Sequence, residues 1–171
     1  TVLEIDLKAL KHNFNHLKSK VKNKTQFLAV VKAFAYGNEA QEIANYLESL
    51  GVDYFAVAYI NEGVALRQAG VTKPILVLHP QVVHFKTLFE YNLEPSLYSF
   101  RTLEAFINKA SAEKTSNHPI HIKFNSGLNR LGFTENDVEK IVAITQESKA
   151  VQVKSLFSHL AASEDLGEKT F

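Results

Sequence analysis

Two lysines lie where predicted strands end, a position that suits amine chemistry. Lys32 closes the apolar run 26–32, and Lys123 lies near the end of the run 118–124. An amine at such a position is partly shielded from water, which favours its neutral form. A neutral amine can attack an aldehyde and form a Schiff base. The alternative for Lys32 is that its side chain extends into solvent at the strand end.

Polar side chains surround the second lysine. Strand alternation puts His121, Lys123 and Asn125 on one face of their run. A lysine on an inward face needs an anion, a hydrogen-bond acceptor or a covalent modification to be tolerated there. Arg130 follows a glycine-containing loop and is a fixed cation that could neighbour such a group or hold a ligand oxygen. The alternative is a solvated loop that carries two unrelated cations.

A third polar cluster, SHLAAS, occupies residues 158–163. His159 is either a stacking or hydrogen-bonding residue of a site, or a partly buried histidine with an ordinary structural partner. Ser158 and His159 are adjacent, so on a strand they point to opposite faces and cannot form a nucleophile–base pair. His12 and His16 share a helix face but lack the glutamate of a zinc-protease motif, so we predict no metal site.

Strands and helices alternate along the segments that carry these residues. Short apolar runs rich in β-branched residues predict strands, and apolar residues at three- and four-residue steps predict helices. Asp6 is predicted to cap the first helix, and Thr134 with Asp137 resembles a capping box before the last. The predicted strands are 26–32, 54–59, 74–79, 93–98, 118–124 and 151–159, with helices near 7–21, 43–50, 62–69, 103–110 and 138–145 and one beginning at Pro80.

The spacing of these elements predicts an α/β fold with parallel strands. Successive strands start on average about 25 residues apart, which fits a (β/α)8 TIM-type barrel of which this chain carries only about six β/α units. No Gly-x-Gly-x-x-Gly sequence follows the first strand, and no phosphate-binding loop with Lys-Ser or Lys-Thr occurs. Both absences argue against nucleotide-binding folds.

Composition narrows the function classes further. The chain has 171 residues, and its 19 Lys and Arg against 18 Asp and Glu give a net charge of +1. This balance predicts no nucleic-acid or membrane partner. The absence of cysteine excludes disulfides, zinc–thiolate sites and cysteine nucleophiles. We see no membrane span or signal peptide and expect a cytoplasmic protein. A first residue other than Met is consistent with a segment of a longer protein.

Together, the three clusters resemble the motifs of alanine racemases. AVVKAFAYG (residues 29–37) is similar to the family's cofactor-lysine motif, KFNSGLNRLGF (123–133) to its second motif and SHLAAS (158–163) to its third. They occur in the family's order and at about its spacing. The opening LEIDL (3–7) also resembles the family's start, so the resemblance covers essentially the whole chain.

This resemblance implies a barrel of the fold-type III pyridoxal 5′-phosphate enzymes, with residues 1–171 as its N-terminal part. It implies a homodimeric racemase that interconverts L- and D-alanine for peptidoglycan precursors. Phe34 in the lysine motif and DYFAVAY (53–59) look most like racemase halves of Bacteroidetes proteins that fuse a cell-wall ligase to alanine racemase. The family's C-terminal β domain, which carries the opposing catalytic tyrosine, cannot be placed in this sequence. We therefore expect the isolated chain to be inactive.

The resemblance also implies roles for single residues. Lys32 matches the lysine that binds pyridoxal 5′-phosphate covalently and is the catalytic base on one face of the substrate's α-carbon. Tyr36 matches a tyrosine that contacts the cofactor phosphate, Arg130 the arginine near the ring hydroxyl, and His159 the histidine beside the pyridine ring. Lys123 matches a position that is often carbamylated in the family, and this modification would make it an anion that Arg130 can pair with.

The sequence departs from the family's pattern at several loop positions. Phe34 stands where the family commonly has Asp or Asn, and Asn125 where it usually has Asp.

Two alternatives to an alanine racemase are another barrel-type pyridoxal-phosphate protein and a non-catalytic module. The first group includes decarboxylases, D-amino-acid lyases or aldolases, and proteins of cofactor homeostasis.

Overall fold

The computed structural model describes residues 2–162 and residue 167, so Ser163 of the third motif lies outside the described residues. Strands and helices alternate along the chain, with short 3-10 turns at Val82–His84 and Glu135–Asp137. No helix among the described residues is long and apolar enough to cross a membrane. The elements are α1 (Leu7–Ser19), β1 (Leu28–Val30), α2 (Lys32–Gly37), α3 (Ala40–Ser49), β2 (Tyr54–Val57), α4 (Ile60–Gln68), β3 (Ile75–Val77), α5 (Phe85–Glu90), β4 (Glu94–Leu97), α6 (Phe100–Ala112), β5 (His118–Lys123), α7 (Val138–Glu147) and β6 (Val151–Phe157).

All six predicted strands are present, but each ends one or two residues earlier than predicted. At β1 the cause is a sharp change in the backbone. The Val31 N–H still donates to the Ala56 carbonyl at 2.9 Å, yet the chain turns at Lys32 and leaves the strand. The prediction that Lys32 closes a strand is therefore wrong. Lys32 instead begins α2, which apolar periodicity did not predict.

The first of two compact units comprises residues 1–79 and 87–93. Its strands are parallel and neighbour one another in the order β1, β2, β3, with Leu28 paired to Tyr54. The β2 and β3 strands are mostly buried, and Ile75 in β3 is fully enclosed. Near-continuous apolar strands of this kind are typical of parallel sheets covered on both faces.

An arginine ties the end of α4 to the loops of the first unit. The Arg67 guanidinium donates four hydrogen bonds of 2.7–3.0 Å, all to backbone carbonyls. Its planar fork of donors can satisfy several acceptors at once, which a lysine cannot do. The four acceptors are the carbonyls of Val71, Lys73, Tyr91 and Asn92.

The second unit comprises residues 80–86 and 94–171. Its strands β4, β5 and β6 are also parallel, and His121 of β5 pairs in register with Ser96 on one side and Ser155 on the other. Both units therefore confirm the predicted parallel strand–helix architecture. The predicted placement of His121 and Lys123 along one strand agrees with β5, which ends at Lys123.

Both predicted helix caps are confirmed. The Asp6 carboxylate accepts from the backbone N–H groups of Lys8 and Ala9 at the start of α1. Asp137 accepts from the backbone N–H of Thr134 at 2.7 Å, which closes the capping box before α7. The Thr134 hydroxyl donates a second hydrogen bond to the same carboxylate. Both hydrogen bonds lower the pKa of Asp137, because they stabilise its carboxylate form.

Candidate functional site

Lys32 begins a left-handed turn at the carboxyl end of β1. Its side chain is half-buried, and each of the next four residues has a φ angle between 51° and 60°. The left-handed conformation costs an L-residue about 1–2 kcal/mol, so contacts outside the turn must stabilise it. The four residues are Ala33, Phe34, Ala35 and Tyr36. Alanine and aromatic residues carry no preference for this conformation, so the motif does not predict it from local propensity.

A single carboxylate holds the start of this turn. The Ala33 N–H donates to Glu62 Oε1 at 2.7 Å. The other oxygen, Oε2, accepts from the N–H groups of Ala58 at 2.7 Å and Tyr59 at 2.9 Å. Glu62 lies in the first turn of α4, where an anion also interacts favourably with the helix dipole. Sequence reasoning missed Glu62, because Tyr59 before the helix is not a usual capping residue.

Tyr36 is the last non-glycine residue with a positive φ angle in this turn, which continues to Gly37 at +89°, and Tyr36 is 67% exposed. The first unit therefore presents a half-buried primary amine and an accessible phenol on one short turn. An amine can bind an aldehyde covalently, and a phenol can donate a hydrogen bond to an anion.

Lys123 at the end of β5 is a buried cation of the second unit. It is 8% exposed, and its Nζ lies 5.7 Å from the centre of the Phe157 ring. Within residues 2–162, this amine has no hydrogen-bond or ion-pair partner. Desolvation lowers the pKa of Lys123, and the positive charge of Arg130 lowers it further. Both effects favour a neutral amine at this position.

The loop after Lys123 folds back on the strand. The Phe133 N–H donates to the Lys123 carbonyl at 2.9 Å, and the Asn125 N–H donates to the Phe133 carbonyl at 2.8 Å. Within the loop, the Asn125 Oδ1 atom accepts from the Gly127 and Asn129 N–H groups. Arg130 is exposed on this closed loop, which limits how far it can move from Lys123.

Gly132 makes this closure possible. Its φ angle is +135°, and a Cβ atom there would lie 2.5 Å from both the Asn125 nitrogen and the Phe124 carbonyl carbon. Backbone atoms cannot move aside as the end of a flexible side chain can, so only glycine fits. Gly132, the second of the two glycines in the second motif, therefore has a steric explanation.

The second and third motifs meet within the second unit. The Ser158 hydroxyl donates to the Phe124 carbonyl at 2.9 Å and is hydrogen-bonded to the Ser126 hydroxyl. Ser126 also contacts the His159 carbonyl at 3.4 Å. The His159 side chain is exposed. These contacts bring two motifs that lie about 30 residues apart in sequence onto one surface, as expected for ends of neighbouring parallel strands.

A buried polar layer lies along the strands of the second unit. His121 Nε2 is 2.7 Å from Glu94 Oε2, and His121 Nδ1 is 2.7 Å from the Ser155 hydroxyl. His121 and Glu94 are almost fully enclosed. Sequence reasoning placed His121 on a polar face but missed Glu94, because a lone glutamate in a short apolar run carries no signal for its partner.

The family of this chain follows from a sequence comparison. The model of the family described as "Alanine racemase, N-terminal domain" matches residues 5–171. This chain belongs to that family. Among its relatives, the alanine racemase of Thermodesulfovibrio yellowstonii is 39% identical over 166 residues, which are 95% of this chain and 45% of the relative. An amino-acid racemase of Enterococcus faecalis is 39% identical over 168 residues, which are 98% of this chain and 23% of the relative.

Solved structures show the same relationship. An alanine racemase of Clostridium difficile 630 superimposes with a TM-score of 0.91 and 29% identity, over 99% of this chain and 46% of that structure. This likeness confirms the predicted fold class, a partial α/β barrel, and the part of the chain that the structure describes carries six parallel strands of it. The chain spans less than half the length of the relatives and structures described here.

Proposed function

We propose that this chain is the cofactor-binding N-terminal part of a pyridoxal 5′-phosphate-dependent racemase that interconverts L- and D-alanine and acts as a homodimer. Membership of the alanine racemase N-terminal domain family supports the reaction class. The observation that carries the proposal is the placement of Lys32, a half-buried amine that opens a turn with an unusual, tightly bonded backbone.

The residues of the first unit fit a ligand with an aldehyde and a phosphate. Lys32 would hold the aldehyde carbon through Nζ, since a primary amine can attack an aldehyde and form a Schiff base. The exposed hydroxyl of Tyr36 is free to donate a hydrogen bond to a phosphate oxygen.

The second unit, taken by itself, also exposes two side chains whose chemistry suits such a ligand. The exposed guanidinium of Arg130 can donate to an anionic oxygen such as a ring phenolate, and the imidazole of His159 offers an aromatic face. These roles follow the family resemblance, and the accessibility of both side chains supports them.

Racemisation requires a proton to leave one face of the α-carbon and another to arrive at the opposite face. When bound, pyridoxal 5′-phosphate supplies the electron sink that stabilises negative charge at that carbon. Once the substrate's own amine had replaced Lys32 at the aldehyde carbon, the released Nζ would accept the proton on its own face and return it there in the reverse direction. The reaction needs a second acid–base group opposite Lys32, and none of the residues proposed here fills that role.

Borohydride reduction tests this assignment. Reduction of the protein expressed from its full reading frame, in the presence of pyridoxal 5′-phosphate, should place a stable adduct on the peptide that contains Lys32. Peptide mass spectrometry locates the adduct, and the variant Lys32→Arg should carry none. An adduct confined to another lysine would contradict the proposal.

A panel of amino acids tests the substrate. We expect racemisation of alanine above all other amino acids, measured with chiral chromatography. The match to a protein described as an amino-acid racemase makes a panel necessary. Decarboxylation or retro-aldol cleavage without racemisation would instead support the other barrel-type pyridoxal-phosphate enzymes.

We further propose that Lys123 is carbamylated. Its lowered pKa leaves more neutral amine near neutral pH, and its Nζ can then form a bond to the carbon of CO2 while the nitrogen loses a proton to water. The product is an anion that can pair with Arg130, so the modification would remove an unfavourable buried positive charge.

Carbon NMR measures this modification. With 13C-bicarbonate we expect a carbamate resonance in the protein that carries no substitution, and we expect the Lys123→Gln variant to lack this resonance. The variant Arg130→Gln should weaken the resonance, because the anion loses its cationic neighbour. The same resonance at full strength in Lys123→Gln would contradict the proposal.

A further inference from the structure

The turn after Lys32 needs support that its own hydrogen bonds do not supply. Inside it, the Ala35 N–H donates to the Val31 carbonyl at 3.1 Å, and the Asn38 N–H donates to the Phe34 carbonyl at 2.7 Å. The first left-handed residue, Ala33, has its N–H outside this pattern and is exposed. The direction of the Ala33 N–H is therefore set by the group that accepts its hydrogen bond.

That group is Glu62, which accepts three backbone hydrogen bonds from two separate segments. One carboxylate oxygen binds the Ala33 N–H, and the other binds the N–H groups of Ala58 and Tyr59. Hydrogen bonds to an ionised acceptor are shorter and stronger than neutral ones. The carboxylate thus joins the start of α2 to the segment that follows β2.

We propose that Glu62 is a positioning residue for Lys32. The Ala33 nitrogen belongs to the peptide bond that directly follows Lys32, so a fixed N–H there fixes the plane of that peptide and the direction in which the Lys32 side chain leaves the backbone. This inference rests on the proposed function, in which Lys32 holds the cofactor. A displaced amine loses the alignment that its reaction with an aldehyde requires.

A simpler role for Glu62 is only to cap α4. The two roles differ in reach, because the capping hydrogen bond to Tyr59 is local while the bond to Ala33 spans 29 positions in sequence. Asp137 shows that an aspartate three residues into a helical turn is long enough to close a capping box in this protein. Glu62→Asp should therefore preserve the cap and the charge but be too short by one methylene to hold Ala33.

The chain offers a matched control in Asp53. Its Oδ2 atom accepts from the Phe27 N–H at 2.8 Å and joins the segments that precede β1 and β2, at the end of these strands away from Lys32. Asp53→Asn therefore weakens a carboxylate link between the same two strands without touching the turn.

Two measurements on the protein expressed from its full reading frame test the inference. Amide hydrogen exchange in the apo protein should speed up at least about tenfold at Ala33 in Glu62→Gln and Glu62→Asp, because a charge-assisted hydrogen bond is lost, and stay unchanged there in Asp53→Asn. The dissociation constant for pyridoxal 5′-phosphate should rise about tenfold in both Glu62 variants but not in Asp53→Asn.

The outcomes separate the possibilities. Glu62→Asp with unchanged Ala33 exchange and unchanged cofactor affinity would show that Glu62 only caps α4 and would overturn the inference. Faster exchange at Ala33 with unchanged cofactor affinity would overturn it as well, because the turn would then not position Lys32. A borohydride adduct absent from Lys32 in the unsubstituted protein would overturn the proposed function instead, and the exchange measurement would still decide whether Glu62 holds the Ala33 amide.

Discussion

Replacing Gly132 with alanine should lower the free energy of unfolding by more than about 3 kcal/mol. Alanine tolerates the φ angle of +135° poorly, and its Cβ atom would lie 2.5 Å from backbone atoms of Phe124 and Asn125. The loop can admit the methyl group only by breaking the hydrogen bonds of Phe133 that close it on Lys123 and Asn125. Chemical denaturation of the protein expressed from its full reading frame measures the loss.

Gly70→Ala is the matched control for this substitution. Gly70 also has a positive φ angle, +93°, but a Cβ atom there would meet no other atom within 4 Å. Gly70→Ala should lower the free energy of unfolding by about 1 kcal/mol, from the backbone conformation alone. The difference between the two variants reports the steric clash together with the less favourable φ angle of Gly132, and equal losses of stability would show that the clash adds nothing.

The second large effect is expected from Arg67→Lys, which should lower the free energy of unfolding by about 2–4 kcal/mol. Arg67 donates to four carbonyls at 2.7–3.0 Å, and a single ammonium cannot reach all four. The partly buried carbonyls that lose their donor carry a desolvation cost. Because the charge is kept, the loss would report hydrogen-bond geometry rather than electrostatics.

Arg101→Lys is the control for the second prediction. Arg101 is exposed on α6, so its replacement should change stability by no more than about 0.5 kcal/mol. Both variants are compared through the midpoint of urea unfolding at constant protein concentration. If Arg67→Lys lowers the free energy of unfolding no more than Arg101→Lys does, the four hydrogen bonds of Arg67 contribute nothing net to stability.

Local patterns were sufficient for most of the fold. The alternation of apolar strands and helical stripes predicted all six strands, because a strand covered on both faces must be apolar along its length. Asp6 and Thr134 identified helix starts, because capping depends on residues only two or three positions apart. Strand ends were less well predicted, as Lys32 shows. The point where a chain leaves a sheet depends on contacts with adjacent strands and helices, which a local sequence pattern does not contain.

The motifs were predictable as groups of residues, but their support was not. Ser126 and Ser158 could be expected near each other once parallel strands were predicted, because such strands end at the same edge. The link from Glu94 through His121 to Ser155 could not be predicted, because each residue lies on a different strand and no spacing rule connects them.

The amino-acid sequence is enough to establish the α/β class, the family motifs and the candidate residues Lys32 and Lys123, because periodicity and motif order are local properties of the chain. It is not enough for the left-handed turn after Lys32, whose alanine and aromatic residues do not favour that conformation. The turn depends on Glu62, which lies 29 positions further along the chain from Ala33 and approaches it only when β1 and β2 pair. The motif thus identifies Lys32, while the hydrogen bond from Ala33 to Glu62 that we propose to position it forms only in the folded protein.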